Sequence, residues 1–205
     1  MPVVEIIGLP QSNFVWTARI ACAEKGVEHV NVPAPPHTPE VAAIHPLGKM
    51  PVLRHGARTV FESRAILAYL DGLPGPALAP PDAIVDVEQW TSLVNTDIEP
   101  IAIRRYLFGY MFPKTPDGAP DRGQIDAAWT DLQPRLRLLE QRLVSGWLAG
   151  PAFTLADCYL IPILFYLSQT PEAGAAITAS PALKGYLERG LARDSVRQTA
   201  PPRPS

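Results

Sequence analysis

The distribution of proline limits what this chain can fold into more than any other feature. There are 24 prolines in 205 residues, gathered at 33–39, 74–81, 113–120 and 200–204. A proline ring fixes φ at about −65° and removes a backbone donor, so neither a regular helix nor an inner strand passes through such a cluster. The clusters therefore mark loops, a linker and a frayed tail. The stiff stretch from Leu73-Pro74-Gly75-Pro76 to Pro80-Pro81-Asp82 is a domain boundary. The hydrophobic pattern changes there, from short runs with mixed periods to long helical periodicity. Domains are expected at 1–74 and 83–197.

The first domain reads as α/β. Val3-Val4-Glu5-Ile6-Ile7 is rich in β-branched residues and stops at Gly8, which predicts a strand. After the turn Leu9-Pro10-Gln11, Ser12 or Asn13 can cap a helix that runs to Lys25 and stops at Gly26. Phe14, Val15, Ala18, Ala21 and Cys22 form its apolar face. Glu28 to Val32 alternates weakly and predicts a second strand. Pro33 to Pro39 is irregular. Two short runs flank His55-Gly56-Ala57 as a hairpin, and Ser63 to Asp71 is a helix ended by Gly72.

Beyond the linker the pattern is all helical. Ile84, Val87, Val94, Ile98 and Ile101 share one face, and Ile125, Trp129, Leu132, Leu136, Leu139 and Leu143 another. Pro100 and Pro134 are expected to kink or divide these helices. Leu155 to Leu167 is apolar nearly all round, as in a helix at the middle of a bundle. Leu183, Tyr186, Leu187 and Leu191 predict a short final helix.

Composition narrows the function. The chain is 47% apolar with a net charge of −2, which argues against nucleic acid as the main partner. It contains no run of 18 apolar residues, so no membrane span is expected. Met1-Pro2-Val3-Val4-Glu5 lacks the basic segment of a secretory leader, and a cytoplasmic location is the default expectation. Cys22 and Cys158 are the only cysteines, with no CxxC, so neither a disulfide framework nor a metal site is expected.

Three places carry chemistry. Met50-Pro51 opens a strand after Gly48-Lys49, so the bond is either cis or an ordinary trans proline at an edge. In the cis form Met50 presents a backbone edge with which a peptide ligand can pair. Glu62-Ser63 stands where a helix begins. A hydroxyl and the free N–H groups of a first turn suit a carboxylate, and Glu62 suits a neighbouring ammonium group. An α-amino acid head carries both charges. Ser12 heads the first helix, where a hydroxyl and the helix dipole favour an anion such as a thiolate. A free thiol has a pKa of about 8.5, and lowering it makes more of the nucleophile. Each of these residues also has a plain structural use as a helix cap or strand start, and Asn13 competes with Ser12 for the thiolate.

Taken together, these strings resemble a known family. Ser12-Asn13-Phe14-Val15-Trp16-Thr17-Ala18-Arg19-Ile20-Ala21 is similar to the first helix of serine-type cytosolic glutathione transferases. His45-Pro46-Leu47-Gly48-Lys49-Met50-Pro51 matches the family's Asn-Pro-x-Gly-x-x-Pro string, with His45 where asparagine is usual. Glu62-Ser63-Arg64-Ala65-Ile66 matches its Glu-Ser-x-Ala-Ile helix start. Phe153-Thr154-Leu155-Ala156-Asp157 looks like its capping box, in which Asp157 reaches back to the Thr154 N–H. By the order and spacing of the strings the chain resembles this family, and it looks like a phi-, theta- or zeta-like bacterial member.

The resemblance implies a thioredoxin-like domain followed by an all-helical domain that contributes the acceptor-substrate pocket, assembled as a homodimer. It implies glutathione as co-substrate, no metal, and a hydrophobic electrophile as acceptor. Met50 and Pro51 would meet the cysteinyl backbone, Glu62 and Ser63 the γ-glutamyl end, and Lys49 with His37 the glycine carboxylate. Ser12 would hold the thiolate, with Asn13 as the alternative. Phe14, Tyr106 and Tyr110, with Phe108 and Phe112, are expected acceptor-pocket residues or core. Phe14 and Thr17 replace the cysteine and first arginine of the maleylacetoacetate isomerases, which counts against that activity. No cysteine stands at position 12, which counts against the disulfide-reducing members. A non-catalytic binding module and a glutathione-dependent peroxidase or isomerase remain as alternatives.

Overall fold

A computed structural model describes residues 2–202. Its contacts divide the chain into two compact units, Met1–Pro81 with Ala192–Ser205, and Asp82–Leu191. The sequence reading ended the helical domain at 197; the contacts instead group the segment from Ala192 onward with the first unit.

The first unit is an α/β layer. Strands β1 (Val4–Ile7), β2 (His29–Val32), β3 (Val52–His55) and β4 (Arg58–Phe61) form one sheet in the order β2-β1-β3-β4. β2 runs parallel to β1, while β3 and β4 are antiparallel to their neighbours. The parallel pair needs a crossover, and α1 (Asn13–Lys25) supplies it. Gly26 ends α1 at φ 66°, a conformation that an L side chain adopts at a cost. Short α2 (Pro39–Ala42) begins at the last residue of the stretch expected to be irregular; Pro39 takes the first helical position, where no N–H is needed. Helix α3 (Ser63–Asp71) packs on α1 and buries Ile66, Leu67 and Leu70 completely, each worth about 2 kcal/mol of transfer free energy. On the other face, Ile7, Val52, Ala34 and Val41 make a small core with Val32 and Ile44.

The second unit is helical. α4 (Ile84–Leu93) continues as π-helix over Val94–Ile98 and Pro100–Leu107 into α5 (Phe108–Met111). Pro100 has no N–H for the carbonyl four residues back, and the chain widens there rather than dividing. Within this stretch Arg104 Nε donates to Glu99 Oε1 at 3.1 Å, between residues five apart. α6 (Arg122–Arg142) runs unbroken through Pro134, which lies exposed. Ile84, expected on the buried face of its helix, is 40% exposed.

α7 (Leu155–Leu167) is the buried central helix. Its Asp157 accepts the Thr154 and Leu148 N–H groups and the Tyr186 hydroxyl, each at 2.8 Å. α8 (Pro171–Ala179) and α9 (Pro181–Ala192) complete the unit. α10 (Asp194–Thr199) follows and packs on α1 in the first unit. Among the described residues no helix is long and apolar enough to cross a membrane.

Candidate functional site

Sheet register gathers the three chemical strings. Val32, Ile7, Val52 and Phe61 stand side by side across the four strands. Each is the last or first residue of its strand at the same edge. The segments that leave or enter there are Gly8–Ser12, 33–51 and Glu62–Ser63. These three segments thus meet at one end of one sheet because pairing order and strand length place them there.

The contacts among these segments are specific. The Leu9 N–H donates to Met50 Sδ at 3.2 Å. Gly8, at φ 153°, lies so close to Met50 and Val15 that a Cβ there would come within 3.2 Å of Met50 Cβ and 2.6 Å of Val15 Cγ2. The Met50-Pro51 peptide is cis, the less common of the two alternatives open from the sequence. Met50 itself lies outside the ladder, whose first β3 residue is Val52. His37, at φ 65°, gives its N–H to the Gly48 carbonyl at 2.8 Å, and its ring lies over Gly48, beside the exposed Lys49. The register and these bonds bring Ser12, His37, Lys49, Met50, Pro51, Glu62 and Ser63 to this end of the sheet.

Ser12 and Asn13 differ in their surroundings. Ser12 is the N-cap residue of α1, half-buried, and its side chain makes no capping hydrogen bond. Asn13 is 6% exposed and engaged in the helix, where its carbonyl accepts the Thr17 hydroxyl at 2.9 Å. The head of α3 is also uncapped by a side chain, so its first-turn N–H groups remain available to an anion. Glu62, just before it, stands at φ 67°, a region that costs an L residue free energy unless the surroundings hold it there. Its side chain is 61% exposed and one oxygen lies 3.2 Å from His45 Nε2. Neither this φ nor the His45 contact has a local sequence signal; the imidazole at an asparagine position is the one hint.

The remaining expected residues fall elsewhere. Phe14 is half-buried on α1. Tyr106 and Tyr110 belong to the second unit, and both hydroxyls donate to Glu172. Tyr106 is fully buried, with its ring 5.7 Å from Trp129. Arg122 Nη2 holds the other Glu172 oxygen at 2.7 Å. Burial pushes the Glu172 carboxyl up, and the Tyr110, Arg122 and Tyr106 donors together outweigh it and hold it at about 2. Burial pushes the Cys22 thiol up to about 12 against the pull of Arg19, so Cys22 is a core side chain rather than a nucleophile. Among the described residues no group of His, Cys, Asp and Glu is placed to hold a metal ion.

Comparison with known proteins agrees with this geometry. Residues 6–78 match the model of the glutathione S-transferase N-terminal domain and 122–189 that of the C-terminal domain. Glutathione S-transferase 3 of Zea mays is 30% identical over all of this chain and 99% of its own. Among solved structures, glutathione S-transferase III in its apo form is 31% identical, with a TM-score of 0.87 over 99% of each chain. A glutathione S-transferase of Methylobacillus flagellatus with glutathione bound is 27% identical, with a TM-score of 0.81 over 97% of this chain and 100% of its own. The curated relative is a plant enzyme, where the sequence reading pointed to bacterial members.

Proposed function

The chain belongs to the glutathione S-transferase family, and from that premise we propose that it binds glutathione at the end of the sheet defined by Ile7, Val52 and Phe61 and activates its thiol at Ser12. The enzyme is a glutathione transferase and glutathione is its co-substrate. The acceptor is a hydrophobic electrophile. The observation that carries the assignment is the pair of helix heads. Ser12 before α1 and Ser63 at the start of α3 flank the same strand ends, and at neither helix does the N-cap side chain, Ser12 or Glu62, cap the first turn. Two anionic groups of one extended ligand, a thiolate and a carboxylate, suit two such positions.

Each end of glutathione then has a partner. The thiolate lies at Ser12, whose hydroxyl donates to it. Asn13 is too enclosed for the same role. Met50, before the cis Pro51, meets the cysteinyl backbone as an added strand would. The γ-glutamyl carboxylate sits over Ser63 and the first turn of α3, and its ammonium group faces Glu62. Lys49 and His37, together at Gly48, face the glycine carboxylate. Positioning and thiolate formation are the enzyme's share of the reaction, and attack on the electrophile follows. Ser12 makes this a serine-type member, and the maize relative draws it toward the plant enzymes of the family. Phe14 stands nearest the Ser12 turn in sequence and is the proposed start of the acceptor wall; Tyr106 and Tyr110 lie in the second unit, where Glu172 takes their hydroxyls.

A homodimer and a cytoplasmic location accompany this reading. Exposed apolar side chains in each unit support the dimer: Leu47 and Phe61 in the first, Val85 in the second.

The test is a pH titration of thiolate absorbance for glutathione bound to the purified protein. A midpoint well below the free thiol's value of about 8.5 establishes activation. Bound glutathione with an unshifted midpoint, or no binding, removes the transferase assignment and leaves the non-catalytic module.

A further inference from the structure

His45 is the one residue of the 45–51 string whose identity departs from the family pattern, and its surroundings show what the change adds. The side chain is 3% exposed. Its Nδ1 accepts the Leu47 N–H at 3.0 Å. A backbone N–H can only donate, so the proton of the neutral ring is on Nε2. That Nε2–H points at Glu62 Oε1, 3.2 Å away. The backbone is also committed, with the His45 N–H on the Val41 carbonyl at 2.8 Å and its carbonyl accepting the Gly48 N–H at 2.9 Å. Phe61 covers the ring, with centroids 5.2 Å apart. A rigid donor is therefore fixed against one oxygen of an otherwise exposed carboxylate. That carboxylate belongs to a residue held at φ 67°.

We propose that His45 is a positioning residue for ligand recognition: its Nε2–H holds one oxygen of Glu62 and turns the other toward the α-ammonium group of the γ-glutamyl end. This rests on the reading that Glu62 takes that ammonium group. An asparagine at position 45 has an oxygen where His45 has Nδ1, and nothing where it has Nε2. It keeps the turn at Leu47 and leaves Glu62 without its tether. The histidine adds the second bond, and with it a sharper choice of ligands that carry the ammonium group.

The experiment compares binding of glutathione and of its des-amino analogue, which lacks only the α-amino group, by titration calorimetry. Wild-type protein is expected to bind glutathione about tenfold or more tightly than the analogue, the scale of one charge-assisted hydrogen bond. His45→Asn is expected to lose about tenfold in glutathione affinity and nothing for the analogue, raising KM and leaving kcat within twofold. His45→Gln carries an amide N–H at the Nε2 position and is expected to restore the discrimination. His45→Met, of similar reach without a donor, takes the place of the asparagine variant should that one not fold. Equal loss for both ligands in the donorless variant, or no loss for either, overturns the proposal. If wild-type protein does not distinguish the two ligands, the assignment of Glu62 falls, and the role of His45 falls with it.

Discussion

Ser12 illustrates how much depends on one residue's surroundings. A serine at the head of a helix ordinarily caps it, and by type alone Ser12 and Asn13 were equal candidates for the thiolate. Burial separates them, since Asn13 is enclosed and Ser12 is half-buried with its hydroxyl left off the helix. Replacing Ser12 with alanine is expected to lower turnover by about 10- to 100-fold, the worth of a hydrogen bond to an anion, and to change glutathione affinity by less than about twofold. Steady-state kinetics with calorimetry on Ser12→Ala and Asn13→Ala decide it, and a larger kcat loss in the asparagine variant reverses the assignment. Glu172 makes a second case at this scale. Its folded-state pKa of about 2 lies below the ordinary value, so it stabilises the fold above about pH 4.5 and loses that contribution as pH falls toward 2. Arg122 lies at the solvent rim, and screening keeps the contribution small. Urea unfolding should therefore show Glu172→Gln less stable than wild type at pH 6, with the gap closing near pH 2.5.

At the scale of elements, the ends of helices decide more than their middles. Asp157 at the start of α7 accepts two backbone N–H groups and the Tyr186 and Thr154 hydroxyls. Removing it leaves buried donors unsatisfied, and Asp157→Ala is expected to cost about 3–5 kcal/mol in chemical denaturation. This box was legible because both partners lie within four residues of each other. The docking of α10 was not. Glu24 on α1 accepts Arg193 in two bonds of 2.7 Å and also takes the Ser195 hydroxyl, while Trp16 Nε1–H donates to the Thr199 hydroxyl at 3.1 Å. These partners are more than 160 residues apart, and no local pattern pairs them. Glu24→Gln keeps one acceptor and loses the charge, so hydrogen exchange over 194–199 is expected to rise while the core of α7 keeps its protection. Pro134 lies exposed within the unbroken α6, and Pro100 opens the second π-helical stretch.

At the scale of the whole molecule, the proposed homodimer predicts a solution mass of about 45 kDa, twice the 22.3 kDa chain. Sedimentation velocity at micromolar concentration checks it, and a single species near 22 kDa removes it. The sequence by itself determined the two-part architecture, because proline clusters and a change of hydrophobic period are local properties written in consecutive residues. It also determined the family, since four short strings occur in the right order and each is a compact unit of turn, cap or strand start. Only the tertiary structure decided which of these strings meet at one end of the sheet. Val32, Ile7, Val52 and Phe61 become neighbours through strand pairing, and pairing order is a property of the sheet. The same holds for the difference in burial between Ser12 and Asn13, the contact of His45 with Glu62 and the return of α10 to α1. Burial and contact between distant residues are set by how the elements pack, and a sequence records that packing only in the sum of all its side chains.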